Sequence, residues 1–242
     1  ALRPRRSALL PRARVHRAVM ASLLLSVRVT LAALAVVIPA GVALGWWLAR
    51  AGRGWRRTIV DALVVLPMVL PPSVLGYYLL VVFGRHGAVG RVLAEVFGVR
   101  LVFTAAGAAL AGAVVAFPLM AKGAEAAFAR VERELEEVAR VHGLSPWRVF
   151  REVTLPLAAP GLAVAVTLAA LRSLGEFGAT LVFAGYAPGA TDTAPLEIFM
   201  ALQTGDDARA GRLVLALTAL SVATTVTLGW WTGRGTRRGK AP

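Results

Sequence analysis

A chain of 242 residues that is 57% hydrophobic and only 17% charged is too apolar for a soluble domain, where about a quarter of residues carry charge. It has no cysteine, which excludes a disulfide framework and a thiolate metal site, and His16, His86 and His142 lack ligand spacing, so no metal is expected. The net charge of +14 marks cytoplasmic loops in a membrane chain, with nucleic-acid binding the weaker reading.

A helix needs roughly 20 mostly apolar residues to cross a bilayer. Residues 29–48 meet that, and 18–27 extend the run past Arg28, which can snorkel to an interface. Residues 62–83 form a second candidate, interrupted by Pro67, Pro71 and Pro72. Residues 101–121 form a third, closed by Lys122. A fourth, 155–171, carries Arg172 and Glu176 at its far end, and the fifth, 213–231, ends on Trp230 and Trp231, a plausible headgroup belt. The chain is therefore expected to be all-α and polytopic, with about five transmembrane helices.

Three basic segments set the orientation. Arg50, Arg53, Arg56 and Arg57 follow the first span, and Arg234, Arg237, Arg238 and Lys240 follow the last. An arginine-rich insert separates spans three and four. Five crossings put all three on one side, which the positive-inside rule makes cytoplasmic. The C-terminus is then inside and the N-terminus outside. The basic stretch 1–19, with Arg3, Arg5, Arg6, Arg12, Arg14 and Arg17, disagrees. It is expected to be disordered or foreign to the working protein, because Met20 sits where a compact membrane domain, 20–242, would begin.

The insert, 131–156, is the most polar stretch. Residues 131–142 favour helix through Glu, Leu, Ala and Arg, and Gly143 fits the stop. Ser145 is a good N-cap and Pro146 a good first position for a second helix, 146–153, too short to span. That helix carries Trp147, Phe150 and Arg151 on neighbouring faces, behind Leu144. The product is an amphipathic elbow on the cytoplasmic side, with an aromatic anchor for another protein's groove. An ordinary solvated loop is the bland alternative. A DNA-reading helix-turn-helix is the poorer alternative still, since the next span follows too closely for it to stand clear of the bilayer.

The spacing Glu137-x-Ala139-x3-Gly143-x9-Val153-x-Leu155-Pro156 resembles the "EAA" loop of ABC importer permeases, departing only at Val138, where the family usually has Ala. The resemblance implies the type I importer permease fold, with the short helix as the coupling helix seated in a cleft of the ATPase. Gly143, Leu144, Ser145, Pro146, Trp147 and Arg148 would then carry the contact, Ala139 would belong to the motif, and Glu137 would brace the elbow. "LPMVLPPSVLGYYLLVVFG" (66–84), "RSLGEFGATLVFAG" (172–185), "PGATDTAPLEIF" and "ALQTG" together are similar to molybdate transporter permeases. "RSLGEFGA" by itself also resembles sulfate permeases. The implied partners are a cytoplasmic ABC ATPase dimer that binds the ATP and Mg, and an extracytoplasmic oxyanion-binding protein. The implied location is the inner membrane.

Arg172 and Glu176 are one helical turn apart and can pair. They either line the path of an oxyanion or lock the helix end where "GEFG" breaks it; a naked arginine would hold a dianion too tightly for release. Gly175 and Gly178 permit the break, and backbone N–H groups freed there, with Thr180, could serve a passing anion. The break at Pro67, Pro71, Pro72 and Ser73 is a packing kink or a gate. Tyr77 and Tyr78 are packing or interface residues. The small residues of 104–116 suit close helix packing. No catalytic residues are visible: "GRGTRRGKA" has Arg234 where a phosphate loop needs its first glycine and Ala241 in place of Ser/Thr. Hydrolysis is therefore assigned to another chain, and two copies about a two-fold axis would enclose a pore. A stand-alone secondary transporter or channel is the competing class, opposed by the lack of an evident inverted repeat.

Overall fold

The first span is longer than expected. In this computed structural model, which describes residues 12–52 and 54–237, helix α1 runs Arg12–Arg50, roughly 58 Å at 1.5 Å per residue. The expected disordered tail is thus helical from Arg12, and Val19 is buried against Ala194 and Leu213; residues 1–11 lie outside the described residues. The remaining helices are α2 (Trp55–Val69), α3 (Pro72–Phe83), α4 (Ala88–Val96), α5 (Ala105–Ala129), α6 (Arg133–Val141), α7 (Pro146–Val149), a π-helical turn Phe150–Thr154, α8 (Leu155–Leu174), α9 (Gly178–Phe183), α10 (Ala194–Gln203) and α11 (Asp207–Arg237). No strand occurs among the described residues.

Helix α5 is the central post. Ala108, Ala111, Ala116, Met120, Ala121, Ala124 and Phe128 are fully buried, and small side chains let neighbours approach closely. A Cβ at Gly41 would lie 2.5 Å from Met120 Cγ, and one at Gly45 2.5 Å from Ala124 Cβ, so this i, i+4 glycine pair sets the α1–α5 crossing. On the other side Gly123 meets Ala165, and Gly161 meets Ala127, fixing α8. Helix α11 packs outside α1 and α8, and only 11% of its apolar window is buried, as suits a lipid-facing helix.

Among the described residues four helices are long and apolar enough to cross a membrane, and five if the pair α2–α3 counts as one. That pair replaces the single second span: it bends by 114°, because Pro71 and Pro72 cannot donate to the preceding turn. The third span does not stop at Lys122 but runs to Ala129, since Lys122 pairs with carboxylates instead of facing lipid. The expected 146–153 helix is also revised. Its α-helical part ends at Val149, a π turn follows with Leu155 N–H bonded to Phe150 O, and α8 continues without a stop. Pro156 explains this: its ring and missing N–H disturb the turn before it, and the wider π register absorbs the disturbance.

The ends of the bundle can be assigned from packing. Leu213, early in α11, meets Val19, early in α1, so both helices finish at the opposite end. That end holds Arg50, the loop to α2 and the α6–α7 elbow. The described parts of the three basic segments, Arg50 with Arg56 and Arg57, the elbow, and the end of α11 at Arg237, therefore share one end of the bundle.

Candidate functional site

The elbow is built from its backbone outward. Helix α6 ends in a Schellman motif: Leu144 N–H bonds Ala139 O at 3.2 Å and Gly143 N–H bonds Arg140 O at 2.9 Å. Gly143 has φ +84°, a left-handed conformation that favours glycine. Ser145 Oγ accepts the Arg148 N–H at 3.4 Å, and Pro146 occupies the first turn of α7. Ala139 and Val149 face inward. Phe150 is the inner anchor, edge-on to Trp46 with centroids 5.8 Å apart, near Phe128 at 6.1 Å, and stacked on Trp147 at 5.8 Å. Trp147 itself is 67% exposed. With Leu135, Val138 and Val141, also exposed, it gives the elbow an apolar outer face. Leu144 is half-buried, and Arg148 is exposed.

The brace is Glu136, not Glu137. Glu137 is exposed beside Val138 and His142, whereas Glu136 is buried. Glu136 Oε1 lies 2.5 Å from Arg50 Nη2 and accepts the Thr154 hydroxyl at 2.7 Å; Arg140 stands 3.9 Å from the other oxygen. Arg50 also donates to Phe128 O at 3.4 Å, the last turn of α5. One carboxylate thus ties α1, α6 and the start of α8 together. The available signal was register: Glu136 and Ala139 are i, i+3 and share the buried stripe, which Glu137 cannot join.

A second ionic group binds α2 to α5. Lys122 Nζ donates to Asp61 at 2.6 Å and to Glu125, and Arg57 donates to Glu125 at 2.8 Å. Two facing pairs, Arg57 with Asp61 at i, i+4 and Lys122 with Glu125 at i, i+3, were the overlooked signature.

The two intramembrane breaks meet. A Cβ at Gly178 would lie 3.0 Å from Pro72 Cβ and 3.4 Å from Ser73 N, and one at Gly76 would lie 2.8 Å from Ala179 O. Arg172 Nη1 stands 2.8 Å from Glu176 Oε2, so the expected pair forms. Glu176 Oε1 accepts the Ala179 N–H at 2.7 Å, capping α9. That amide is therefore not free for an anion, and Thr180 is buried, which removes its side chain from any open path. Ser73 is exposed at the break.

At the end opposite the elbow lies a cluster with no counterpart among the expected sites. Glu197, on α10, is 1% exposed. It pairs with Arg209 of α11 and accepts the Tyr186 hydroxyl at 2.8 Å. Burial, reinforced by that carboxylate, pushes the Tyr186 phenol up to about 12. Thr191 secures the loop, accepting from Ala187 N–H at 2.8 Å and donating to Gly185 O at 2.9 Å. Among the described residues no group of His, Cys, Asp and Glu is arranged to hold a metal ion.

Residues 41–235 match the family described as binding-protein-dependent transport system inner membrane component. The chain is 40% identical to the molybdenum transport system permease protein ModB of Escherichia coli K12 over 210 residues, 86% of this chain and 91% of the relative. It is 37% identical to ModB of Haemophilus influenzae over 211 residues, 87% and 92% of the two chains. The solved MetNI methionine ABC transporter, in inward-facing conformations, has a chain that superposes with a TM-score of 0.67 at 19% identity, covering 93% of this chain and 99% of that one; it is a likeness of fold.

Proposed function

This chain belongs to the family of binding-protein-dependent transport system inner membrane components, and from that premise we propose that it is the permease of an ABC importer carrying an oxyanion inward, molybdate first. The substrate rests on the relatives that are molybdenum permeases and on the "LPPSVLGYYLL" and "GATLVFAG" segments. Tungstate and sulfate, also tetrahedral dianions, are the competitors to test.

The observation that carries the mechanism is the two-sided elbow. Its inner face is fastened through Glu136 to two spans, and its outer face presents Trp147, Leu135, Val138 and Val141 to water. Exposed aromatic and aliphatic side chains on a rigid support are what a partner's groove accepts. A push on Trp147 passes through Phe150 to Trp46 and Phe128, on α1 and α5. A separate ATPase, holding ATP and Mg, seats on this face and moves the spans by that route. The shared end of the basic segments supports a cytoplasmic elbow and C-terminus. A second copy supplies the other wall of the pore and a second elbow, and a binding protein delivers the anion at the opposite end.

Vesicles reconstituted with permease, ATPase and binding protein test this. ATP-dependent molybdate uptake is expected, outcompeting sulfate. Trp147→Ala is expected to leave the permease inserted but to prevent copurification of the ATPase and to abolish uptake. Uptake by the permease alone, or normal copurification and uptake with Trp147→Ala, would overturn the reading.

A further inference from the structure

We infer that Arg172 is the group that contacts the anion in transit, and that Glu176 is a positioning residue that keeps the contact weak; this deepens the proposed function and rests on it.

The pair sits at membrane depth. Ser173, next to Arg172, faces Gly112, whose Cβ would lie 2.6 Å from Ser173 Oγ. Gly112 is seven residues beyond Ala105, the first of α5, hence about 10 Å inside the end of that span. An ion pair at that depth needs a bundle interior or a wet cavity. The Arg172 side chain is 35% exposed while that of Glu176 is 2% exposed. The carboxylate therefore lies behind, and what the pair offers to the open side is the cationic edge of the guanidinium.

The two groups are not held alike. Glu176 is fixed by the Ala179 N–H at its second oxygen. Arg172 has no other side-chain or carbonyl partner among the described residues, so most of its five N–H donors are available. Its fork geometry suits two oxygens of a tetrahedral anion. The carboxylate that holds Arg172 caps α9 at the Ala179 N–H, one residue from Gly178, where both chain breaks meet against Pro72 and Ser73, and irregular backbone at membrane depth persists only inside protein or along a water-filled cavity.

The fixed charge answers the difficulty of release. A lone arginine in a cavity of low dielectric would retain a dianion. A carboxylate anchored behind it subtracts most of that attraction at close range, leaving directional hydrogen bonds and a weak net field. Arginine can turn to the anion and back, because its counter-ion does not leave.

The test uses the purified permease–ATPase complex, with tungstate and molybdate binding measured by equilibrium dialysis and element analysis, and uptake measured in the full reconstitution. Glu176→Gln keeps a carbonyl oxygen for the Ala179 N–H and removes the charge. It is expected to tighten anion binding on the order of tenfold or more while slowing turnover. Adding Arg172→Gln to it should abolish the tighter binding. Arg172→Gln alone should cut molybdate uptake at least about tenfold, with assembly verified by copurified ATPase; this variant keeps the test decisive should Glu176→Gln fail to fold. A purely structural pair would lower assembly without changing anion affinity. Unchanged affinity in Glu176→Gln, tight binding that survives in the double variant, or uptake within twofold of wild type in Arg172→Gln overturns the inference. Absence of molybdate uptake by the wild-type assembly would instead overturn the proposed function beneath it.

Discussion

Glu136 and Glu176 are both buried carboxylates paired with arginine, yet they are built for different tasks. Glu136 draws partners from far along the chain: Arg50 from α1 and Thr154 from the turn before α8. Its arginine is itself mostly covered, at 16% exposure. Glu176 uses only neighbours, Arg172 four residues before and the Ala179 amide three after, and its arginine is only partly covered, at 35% exposure. Distant partners that are all covered lock elements to one another. Local partners with one exposed charge hold a group ready while leaving the elements around it free. The same residue pair thus makes a strut at the elbow and a poised contact at the break.

The strut is the easier to break. Glu136→Ala leaves Arg50 covered and unpaired, which costs about 3 kcal/mol, and it releases the Thr154 hydroxyl. A marked fall in melting temperature of the detergent-purified permease is expected, together with loss of the ATPase on purification. Glu137→Ala, one residue along, should change stability by less than about 0.5 kcal/mol, because its side chain is in water. Equal effects of the two would show that the elbow is not fastened through Glu136.

The turn that aims the elbow comes next. Gly143 has φ +84° and nothing within 4 Å of where a Cβ would stand. The cost of Gly143→Ala is then one of backbone alone, about 1–2 kcal/mol, and Gly143→Asn should recover part of it, since Asn tolerates the left-handed region. Uptake assays on the two variants would rank Gly above Asn above Ala; a tolerated Ala would show that the turn is not needed. Ser145→Ala is expected to cost about 0.5 kcal/mol, the low end for an N-cap, in keeping with its long 3.4 Å bond.

What the sequence revealed follows the range of the interactions. The stop at Gly143, the cap at Ser145 and the Arg172–Glu176 pair depend on residues within a few positions, and spacing alone exposes them. The long apolar runs at α1, α5, α8 and α11 were legible because composition decides membrane insertion. Glu136, the Asp61–Lys122–Glu125–Arg57 group and Glu197 were not, since each is defined by a partner on another helix. Helical register groups Glu136 rather than Glu137 with Ala139, but only the α1–α5 packing set by Gly41 and Gly45 brings Arg50 to it. The 114° bend at Pro71 was legible as a break but not as an angle. Its direction follows from α9 packing on α3 at Gly76 and Gly178, a contact between segments about a hundred residues apart.

Glu197 offers the finest comparison, a third carboxylate with both a covered position and a hydroxyl partner. Tyr186→Phe removes one hydrogen bond while Arg209 still neutralises the charge, so about 1 kcal/mol is expected. Its pH signature is separable. The folded phenol is raised to about 12, above the usual value near 10, so the neutral form is the favoured one. Its contribution is fully present below pH about 10 and is lost as pH rises through 12; between pH 6 and 9 the difference between wild type and Tyr186→Phe should therefore be flat. The chain has three tyrosines, and alkaline absorbance titration of the folded protein should show a phenolate near pH 12 that Tyr186→Phe deletes. A titration near pH 12 that the substitution leaves unchanged would mean that Glu197 holds no phenol, and that Arg209 alone secures this end of the bundle.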